Sequence, residues 1–574
     1  MFRPKRGERE IAPDEIFLDS TNLPGRNDPQ FEARVVRPLD RSAILKIGIA
    51  FLIVATVFAG RTFDLAMVDG KTYAEVSRNN HLDHSLLFAN RGIVIDRTGK
   101  KLAWNVAQAP ASSTQSLSPE ETKNTELFAL RGYTALRGLS LLLGFVGYPK
   151  EDAAGNWWRE ETFGVSGVEL AFDDLLAGKN GSRMVEIDAL GNKEEQSIVE
   201  PVENGGDVVL SIDAEVQNKL FSYLSQHAAR QGFVGGAGVI MDVRTGELLA
   251  LTSFPEYDNA AFAAGNASAV HSASNDPKTP LLNRAVSGLY APGSIVKPIF
   301  AAAALNERII DPEKKILSTG AITIPNPYDP KKPSVFRDWT VHGLVDMREA
   351  IAVSSDEYFY QIGGGYGSQT GLGVARLDEY ARRFGLGEPT GVLLLGEEEG
   401  VIPTPEWKIK VFGPEDPWRI GDTYHTAIGQ YGFQLTPLQA ARFVAAIANG
   451  GRLLRPHIVA SSTPVSQGVG VPDAYLQIVR EGMRLAVTSD RHDATVKVLN
   501  LPGMKIAAKT GTAQIGANNE WINSWSIGFW PADNPRYAYA AVLERGPAHN
   551  ISGTAPALRP FFEWLVAEKP QYLE

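Results

Sequence analysis

The sequence predicts an α+β protein attached to a single N-terminal membrane-spanning helix. Two patterns support this prediction: an apolar run near the start that is long enough to cross a bilayer, and a larger C-terminal part that begins and ends with strands around a mostly helical middle. Strands first, helices in the middle and strands last favour an antiparallel sheet with helices on both sides. The expected division is a cytoplasmic tail over 1–41, a transmembrane helix over 42–62, a smaller domain over 63–209 and a larger one over 210–574.

Composition excludes several classes of protein. The chain has 574 residues, which is enough for two or more domains with full cores. Its formal charge of −10 argues against a nucleic-acid-binding protein, which usually presents a basic face. It has no cysteine, so disulfides, thiol catalysis and cysteine-based zinc sites are excluded. The nine histidines show no paired ligand spacing, and we expect neither a metal nor a cofactor.

The membrane helix is predicted from Ser42 to Gly60, a run of 19 residues whose one charge is Lys46. Basic residues upstream place the N-terminus in the cytoplasm by the positive-inside rule. A cleaved signal peptide, with a site at 57–59, and a buried core helix are the alternatives. A leader of 41 residues is far too long for an ordinary signal peptide, so we expect the remainder of the chain outside the membrane.

The smaller domain mixes strands and helices. We predict a hairpin over 91–103, a Ser/Thr-rich mobile loop over 108–126, a helix over 127–145, and a helix, turn and strand within 164–194.

The larger domain is predicted from about residue 210 onward. A strand over 208–213 leads into an amphipathic helix near 214–230, and a hairpin follows. We place its strands at 238–243 and 247–252, three further strands at 505–514, 524–530 and 536–543, and a terminal helix at 561–569.

The central motif is Ser294-Ile295-Val296-Lys297, the one Ser-x-x-Lys spacing in the chain. Pro292 and Gly293 make a turn into an apolar helix, so Ser294 lies near a helix N-terminus, where unpaired N–H groups favour developing negative charge. Lys297 is three residues on and shares its helix face. A lysine in a dry site can take the proton of a serine hydroxyl and so activate it. A capping serine and a surface lysine are the plainer interpretation.

Two further motifs follow in the order expected of an acyltransferase. Ser354-Ser355-Asp356 ends a predicted helix over 347–353, and Lys509-Thr510-Gly511-Thr512 lies on a predicted strand. Either motif alone would be unremarkable. Together with Ser-x-x-Lys they form the three-part signature of β-lactamases and penicillin-binding proteins.

The chain resembles the class B penicillin-binding proteins, and within them the elongation-type penicillin-binding protein 2 group, over about residues 45 to 570. Besides the three motifs, the resemblance rests on RGIVIDRTGKKLA, LSIDAEVQ, Asn283-Arg284, Phe336-Arg337-Asp338-Trp339, Ala427-Ile428-Gly429-Gln430 and Thr436-Pro437-Leu438-Gln439.

The resemblance implies a peptidoglycan D,D-transpeptidase that is a target of β-lactams. By it, Ser294 attacks a stem pentapeptide and releases D-Ala, Lys297 is the base and Ser354 relays a proton to the leaving amine. Lys509 adds positive potential and the Thr510 and Thr512 hydroxyls hold the terminal carboxylate, with Asp356 and Gly511 also in the substrate-binding set. The oxyanion hole is the backbone N–H of Ser294 with that of Thr512.

The resemblance also implies the surroundings of the enzyme. The larger domain is then the transpeptidase domain and 63–209 a non-catalytic pedestal. The acyl acceptor is an amine of a second stem peptide. A SEDS-family glycosyltransferase and an elongation complex are the implied partners, and the location is the periplasmic face of the bacterial inner membrane.

Three features depart from the wider family pattern. Asp356 stands where most members have Asn, and since an ionised Asp only accepts hydrogen bonds, we hypothesise that it pairs with Lys297. Tyr431 stands where the family usually has Gly. The region between Asn105 and Gly164 is shorter than the usual pedestal.

Competing functions share part of this pattern. A secreted β-lactamase needs no anchor, a β-lactam sensor needs a cytoplasmic effector domain larger than the 41-residue tail, and a dead scaffold would be expected to lose motif residues. A carboxypeptidase, with water as acceptor, cannot be separated from a transpeptidase by motif alone.

Overall fold

The computed structural model describes residues 41–71, 81–107, 128–153, 156–187, 193–326, 329, 331–460, 462–550 and 552–574. The described residues divide into two compact units. One comprises 41–71, 81–83, 185–187 and 193–195, and the other comprises the remainder.

The helices are α1 (Arg41–Phe63), α2 (Ser140–Leu143), α3 (Gly167–Ala171), α4 (Asp173–Leu176), α5 (Ala214–Gln231), α6 (Asn259–Ala263), α7 (Ala267–Asn275), α8 (Lys297–Asn306), α9 (Met347–Val353), α10 (Asp356–Gly364), α11 (Gly373–Arg383), α12 (Pro405–Phe412), α13 (Ile420–Ala427), α14 (Pro437–Ala448), α15 (Asp473–Thr488) and α16 (Thr554–Glu568). A π-helical turn covers Asp64–Val68, and 3₁₀ turns cover Gly293–Val296, Lys497–Leu499 and Pro570–Tyr572.

The strands are β1 (His81–Leu87), β2 (Val94–Ile95), β3 (Lys101–Val106), β4 (Leu130–Tyr133), β5 (Val146–Gly147), β6 (Lys150–Glu151), β7 (Trp157–Arg159), β8 (Phe163–Gly164), β9 (Gly181–Ile187), β10 (Lys193–Glu200), β11 (Val208–Val209), β12 (Gly235–Asp242), β13 (Leu248–Phe254), β14 (Ile316–Ser318), β15 (Ala321–Ile324), β16 (Ser334–Arg337), β17 (Gly343–Val345), β18 (Arg452–Leu454), β19 (Ser466–Gly468), β20 (Ala507–Ile515), β21 (Trp521–Trp530) and β22 (Tyr537–Pro547).

Helix α1 belongs to the first unit and matches the membrane helix predicted over 42–62. With the π-helical turn it supplies a 25-residue apolar segment, Ile44–Val68, of mean hydropathy 2.0. Its described side chains are exposed, as those of a lipid-facing helix would be. Among the described residues, this is the one helix long and apolar enough to cross a membrane.

A small mixed sheet begins the second unit, with strand order β11-β2-β3-β4. A buried ionic cluster holds the surrounding segments together. Glu169 accepts from Arg91 Nε at 2.6 Å and from Arg131 Nε at 2.7 Å, and the three side chains are at most 2% exposed. Arg91 also pairs with Asp173 at 2.7 Å.

The helix predicted over 127–145 is wrong. The described residues there form β4 and the single-turn α2 instead. Glycines interrupt the Leu-rich pattern: Gly138 has a φ of +82°, and a Cβ atom there would lie 2.6 Å from atoms of Phe221 and Thr252. Close tertiary packing therefore overrides the local helical pattern.

Other predictions for this region have mixed outcomes. The hairpin over 91–103 forms from β2 and β3, although its first strand is only two residues long. The helix, turn and strand within 164–194 are confirmed by α3, α4 and β9. The mobile loop predicted over 108–126 lies outside the described residues.

A five-stranded antiparallel sheet forms the centre of the larger domain, in the order β13-β12-β22-β21-β20. Successive residues face opposite sides, so that Val239 and Met241 join one hydrophobic cluster while Ile240 joins another. Helices α5 and α16 cover one face, and α8, α9, α14 and α15 contribute to the cluster on the other. The predicted antiparallel sheet with helices on both sides is confirmed.

Individual elements of this domain begin near their predicted positions. Helix α5 starts after Asp213, whose side chain accepts from the N–H groups of Glu215 and Val216, and ends before Gly232 in the left-handed region. Helix α16 begins at Thr554, seven residues before the predicted 561. Strand β20 is an edge strand, and the 3₁₀ turn that carries Ser294 packs beside it.

Candidate active site

Ser294 lies on the 3₁₀ turn Gly293–Val296, directly before α8. The turn is held by backbone contacts: the Gly293 N–H donates to the Gly429 carbonyl at 2.9 Å. Gly293 has a φ of +55°, and a Cβ atom there would lie 2.8 Å from the Thr512 carbonyl oxygen. Only glycine fits this position, so the turn is fixed between β20 and residue 429. Ser294 is half-buried, and within the described part of the chain its hydroxyl has no hydrogen-bond partner.

Lys297 begins α8 and its side chain is fully buried. Its ammonium nitrogen Nζ lies 2.6 Å from Asp356 Oδ1, 2.8 Å from the Ser354 carbonyl and 3.4 Å from Ser354 Oγ. The same atom lies 5.3 Å from the centre of the Phe359 ring. The hypothesised pairing of Asp356 with Lys297 is therefore present.

Ser354 ends α9, which spans the predicted 347–353, and has a φ of +60° and a ψ of 38°. This left-handed conformation is rare for a residue with a side chain. Ser355 then caps α10 by accepting from the Tyr358 N–H at 3.2 Å. The tight turn between the two helices directs Ser354 and Asp356 toward one lysine.

Lys509 approaches Ser354 from β20, and its side chain is fully buried. Its Nζ donates to Ser354 Oγ at 2.8 Å and to the Thr510 carbonyl at 2.8 Å. Ser354 Oγ consequently lies between the two lysine nitrogens. Thr510 is half-buried and Thr512 is exposed, as period-two alternation along a strand requires for side chains on one face.

The electrostatics of the site are set by two buried lysine side chains and one nearby carboxylate, Asp356. Burial, and then the neighbouring Lys297 charge, lower the pKa of Lys509 well below its usual range, while Asp356 opposes this shift. A strongly perturbed lysine in contact with a serine hydroxyl is a common mark of a catalytic site.

The structure brings most of the predicted residues together. Hydrogen bonds join Lys297, Ser354, Asp356 and Lys509 directly. Gly511 lies against the Ser294 turn, since a Cβ atom there would meet the Pro292 carbonyl at 2.7 Å and the Ile295 side chain at 2.8 Å. The roles assigned to the individual residues, including the oxyanion hole, stay predictions.

Other residues near the site were not predicted to belong to it. Asp338 accepts a hydrogen bond from Ser355 on the side of the Ser354-Asp356 turn away from the lysines. His342 contacts Asp338 and, through its other ring nitrogen, the buried Asp493. The segment 336–339 was noted as a family feature, which singled out Asp338. No pattern in the sequence indicated His342 or Asp493.

Tyr431, which stands where the family usually has Gly, lies near the Ser294 turn. Tyr431 lies two residues after Gly429, whose carbonyl accepts from the Gly293 N–H. Its φ is +62°, a left-handed conformation in which Gly is the usual residue. Its ring centroid lies 5.9 Å from that of Trp407, 6.5 Å from that of Phe412 and 5.8 Å from that of Trp418. Aromatic packing of this kind compensates for the backbone cost.

Among the described residues, no group of three or more His, Asp or Glu side chains is arranged to hold a metal ion. The groups that meet beside the Ser294 turn are the hydroxyl of Ser354, two lysine amines and the carboxylate of Asp356. A serine on a turn at a helix N-terminus, next to a Ser-x-Asp turn and a Lys-Thr-Gly strand, defines a serine acyltransferase of the class that reacts with penicillin.

Comparison with known proteins specifies the family. A penicillin-binding protein transpeptidase domain matches residues 236–563, and a penicillin-binding protein dimerisation domain matches residues 124–210. The chain belongs to the penicillin-binding protein transpeptidase family.

Relatives and solved structures agree with this membership. The chain is 27% identical over 640 aligned positions to the peptidoglycan D,D-transpeptidase MrdA of Haemophilus influenzae, covering 96% of this chain and 95% of that protein. It is 32% identical to MrdA of Escherichia coli strain K12, covering 70% of this chain and 64% of that protein. The structure of penicillin-binding protein PBP2 in complex with MreC from Helicobacter pylori aligns with a TM-score of 0.68 at 25% identity, covering 86% of this chain and all (100%) of that one.

Proposed function

We propose that this protein is a peptidoglycan D,D-transpeptidase of the elongation type. It crosslinks stem peptides through a serine acyl-enzyme, releases D-Ala and is a target of β-lactams. The observation that carries this proposal is the junction of Lys297, Ser354, Asp356 and Lys509 beside the Ser294 turn, with Ser354 Oγ 2.8 Å and 3.4 Å from the two lysine nitrogens.

The acylation step uses this junction directly. Ser294 Oγ attacks the carbonyl between the last two D-alanines of the donor, and its proton passes to the neutral amine of Lys297. The tetrahedral intermediate collapses as the C–N bond breaks, and the leaving amine takes a proton that Ser354 relays. D-Ala departs, and an amine of a second stem peptide then repeats the attack on the ester and restores the Ser294 hydroxyl.

Substrate binding supplies the charge that the site lacks. The donor's terminal carboxylate binds beside Lys509, Thr510 and Thr512, where it stabilises an ammonium on Lys509. Because Ser354 Oγ contacts both lysines, a proton can pass from Lys297 through this hydroxyl to Lys509. Carboxylate binding would thereby leave Lys297 as the neutral base only when a donor is present.

The free edge of the sheet offers a place for the rest of the donor. Strand β20 pairs with β21 on one side, and its other edge is next to the Ser294 turn. An extended peptide can add to such an edge through main-chain hydrogen bonds while its side chains enter neighbouring clefts.

Location and partners follow from the membrane helix and the relatives. The apolar helix supports a single-pass anchor. Basic residues before it favour a cytoplasmic N-terminus and a periplasmic catalytic domain at the inner membrane. A SEDS-family glycosyltransferase and an elongation complex are the proposed partners. A similar protein in complex with MreC supports the second of these.

The test is labelling of the full-length protein in detergent with a fluorescent penicillin, followed by intact mass, for wild type and Ser294→Ala. A stable single adduct in wild type that is lost in the variant is expected. An adduct that vanishes within seconds would indicate a β-lactamase instead, and no adduct in either protein would contradict the proposal. Release of D-Ala with an added amine, compared with water alone, distinguishes transpeptidation from carboxypeptidation.

A further inference from the structure

A chain of buried ionic side chains lies directly behind the Ser354-Asp356 turn. Asp338 Oδ2 accepts a hydrogen bond from Ser355 Oγ at 2.8 Å and another from the Glu357 N–H at 2.9 Å. These two donors flank Asp356 on either side. One carboxylate oxygen therefore fixes the backbone that presents Asp356 to Lys297.

The chain continues away from the site. His342 Nε2 lies 3.4 Å from Asp338 Oδ1, an ionic contact, and His342 Nδ1 lies 2.8 Å from Asp493 Oδ2. Arg491 completes it with contacts of 2.8 Å and 3.0 Å to Asp493 and one of 2.8 Å to the His342 carbonyl. The side chains of Asp338, His342 and Asp493 are at most 1% exposed.

The turn needs such support because its backbone is strained. A non-glycine residue in the left-handed region is strained and persists only where its surroundings determine it. Ser354 has this conformation. The residues just before it are held from both sides as well: Trp339 Nε1 donates to the Val353 carbonyl at 3.1 Å, and the Thr495 N–H to the Ala352 carbonyl at 3.3 Å.

The charges along the chain alternate. Burial would raise the pKa of Asp338, but the contact from His342, the Lys297 charge and the Glu357 N–H outweigh it and lower the pKa to about 2. Burial would lower the pKa of His342, but Asp338 and Asp493 on its two sides outweigh it and raise the pKa. The raised pKa of His342 favours its imidazolium form, in which carboxylate, imidazolium, carboxylate and guanidinium alternate along the chain. Each charge is neutralised by its neighbour.

We propose that Asp338 is a positioning residue for acyl transfer, held in place by His342 and, through it, by Asp493. It sets where Ser354 Oγ and Asp356 lie relative to Lys297 and Lys509 without touching the substrate. This inference rests on the proposed acyl transfer at Ser294 and adds a device that controls the geometry of that site.

The first experiment compares Asp338→Asn and Ser355→Ala with wild type in the full-length protein in detergent. The rate constant for acylation by a fluorescent penicillin and the melting temperature are measured together. Misplacement of catalytic groups by about 1 Å costs on the order of 100-fold, so Asp338→Asn should acylate about 10- to 100-fold more slowly. Ser355→Ala removes the hydrogen bond to Asp338 and the one accepted from the Tyr358 N–H, and should cost about 2- to 10-fold.

Asp346→Ala is the matched control for stability. Asp346 caps the other end of α9 by accepting from the Glu349 N–H at 3.0 Å, so its loss should destabilise the helix that leads to Ser354. Its acylation rate should stay within about twofold of wild type. If Asp338→Asn instead lowers only the melting temperature and acylates like this control, Asp338 is merely structural and the proposal fails.

The second experiment isolates the charge of His342. The ratio of acylation rates, wild type over His342→Gln, is measured from pH 6 to 9.5, so that the titration of the lysines cancels. Because a raised pKa keeps the imidazolium charged at neutral pH, the ratio should be largest there and fall toward one as His342 loses its proton at alkaline pH. A ratio that does not change with pH would overturn the role of His342.

The outcomes separate this proposal from the proposed function. Absence of an adduct in wild type contradicts acyl transfer itself. Normal labelling of wild type with variants that acylate at the wild-type rate contradicts only the positioning role. If His342→Gln does not fold, a double-mutant cycle of Asp338→Asn and Ser355→Ala still tests the proposal. The effects of the two substitutions on the acylation rate should be non-additive, because both residues act through the same turn.

Discussion

Two buried charge clusters in this molecule use similar ions for different ends. In the smaller domain, both oxygens of Glu169 are bound by arginine Nε atoms, at 2.6 Å and 2.7 Å, and no side chain of the three is more than 2% exposed. At the active site, two fully buried lysines lie near Asp356, whose side chain is 20% exposed. In the first cluster both oxygens of the carboxylate are bound and the three side chains are buried, although Arg131 Nη2 has no hydrogen-bond partner among the described residues. In the second cluster the carboxylate is partly exposed, and its direct contact is with Lys297.

The choice of cation fits the difference. Arginine stays charged and binds carboxylates in a fixed planar geometry, which suits a permanent structural link. Burial lowers the pKa of a lysine, and Lys509 has a lowered pKa for this reason. Burial of charge alone therefore does not identify a catalytic site. A buried cluster is better identified as catalytic when its charges are incompletely neutralised and its residues can exchange protons.

The largest expected effect is loss of the base at the active site. Lys297→Met should slow acylation by a fluorescent penicillin about 10³- to 10⁴-fold, the usual weight of a general base. The melting temperature should change far less, because the apolar stem still fills its place. Stopped-flow labelling with a melting curve on the same sample measures both, and a variant that acylates at near the wild-type rate would assign the base elsewhere.

The next effect concerns the Glu169 cluster, where a substitution should lower stability and leave the acylation rate unchanged. Glu169→Gln leaves two buried guanidinium groups without their shared carboxylate and should cost about 3–5 kcal/mol of unfolding free energy. Acylation by the molecules that remain folded should be unchanged. Chemical denaturation gives the first quantity and labelling per folded molecule the second. A large kinetic defect with little destabilisation would show that the two clusters are not functionally distinct.

A smaller kinetic effect is expected for Asp356→Asn. The substitution removes the one carboxylate that favours protonated Lys509, so the pKa of Lys509 should fall further. Because the active form holds an ammonium on Lys509, the alkaline limb of the pH–rate profile should then move to lower pH, with acylation at neutral pH about 10-fold slower. Acylation rates from pH 4.5 to 9 test this, and an unchanged profile would rule out Asp356 as the partner that sets the charge of the site.

The smallest effect is predicted for an exposed pair. Lys179 Nζ lies 3.0 Å from Glu203 Oε2, and their side chains are 77% and 66% exposed. Glu203→Gln should change the unfolding free energy by less than about 1 kcal/mol, since water and salt screen the pair. This variant is the control for Glu169→Gln. A comparable loss in both would mean that burial is not what distinguishes the Glu169 cluster.

The residues of the active site could be predicted from the sequence better than the residues that hold them in place. Lys297, Ser354, Asp356 and Lys509 could be assigned because each belongs to a short motif with a defined chemistry. His342 and Asp493 could not, since a contact between residues 151 positions apart leaves no local pattern. The strain at Ser354 and Tyr431 was equally invisible, because left-handed backbone at a non-glycine residue is imposed by packing.

The fold shows the same division. The strands of the central sheet and helix α5 follow from period-two and amphipathic patterns, and they were placed within a few residues. The helix predicted over 127–145 failed because Gly132, Gly138 and Gly144 are fitted to close tertiary contacts that the local sequence does not reveal.

The Ser294 turn draws its neighbours from distant parts of the chain: Gly429 accepts its N–H, Thr512 lies against Gly293, and the Ser354 turn adjoins it through Lys297. No partly assembled domain can bring all of these together. Penicillin labelling therefore also measures the number of correctly assembled molecules. In a purified sample, the labelled fraction counts the chains whose whole domain has reached its final form. A measurement of protein concentration cannot make this distinction, because it also counts misassembled chains.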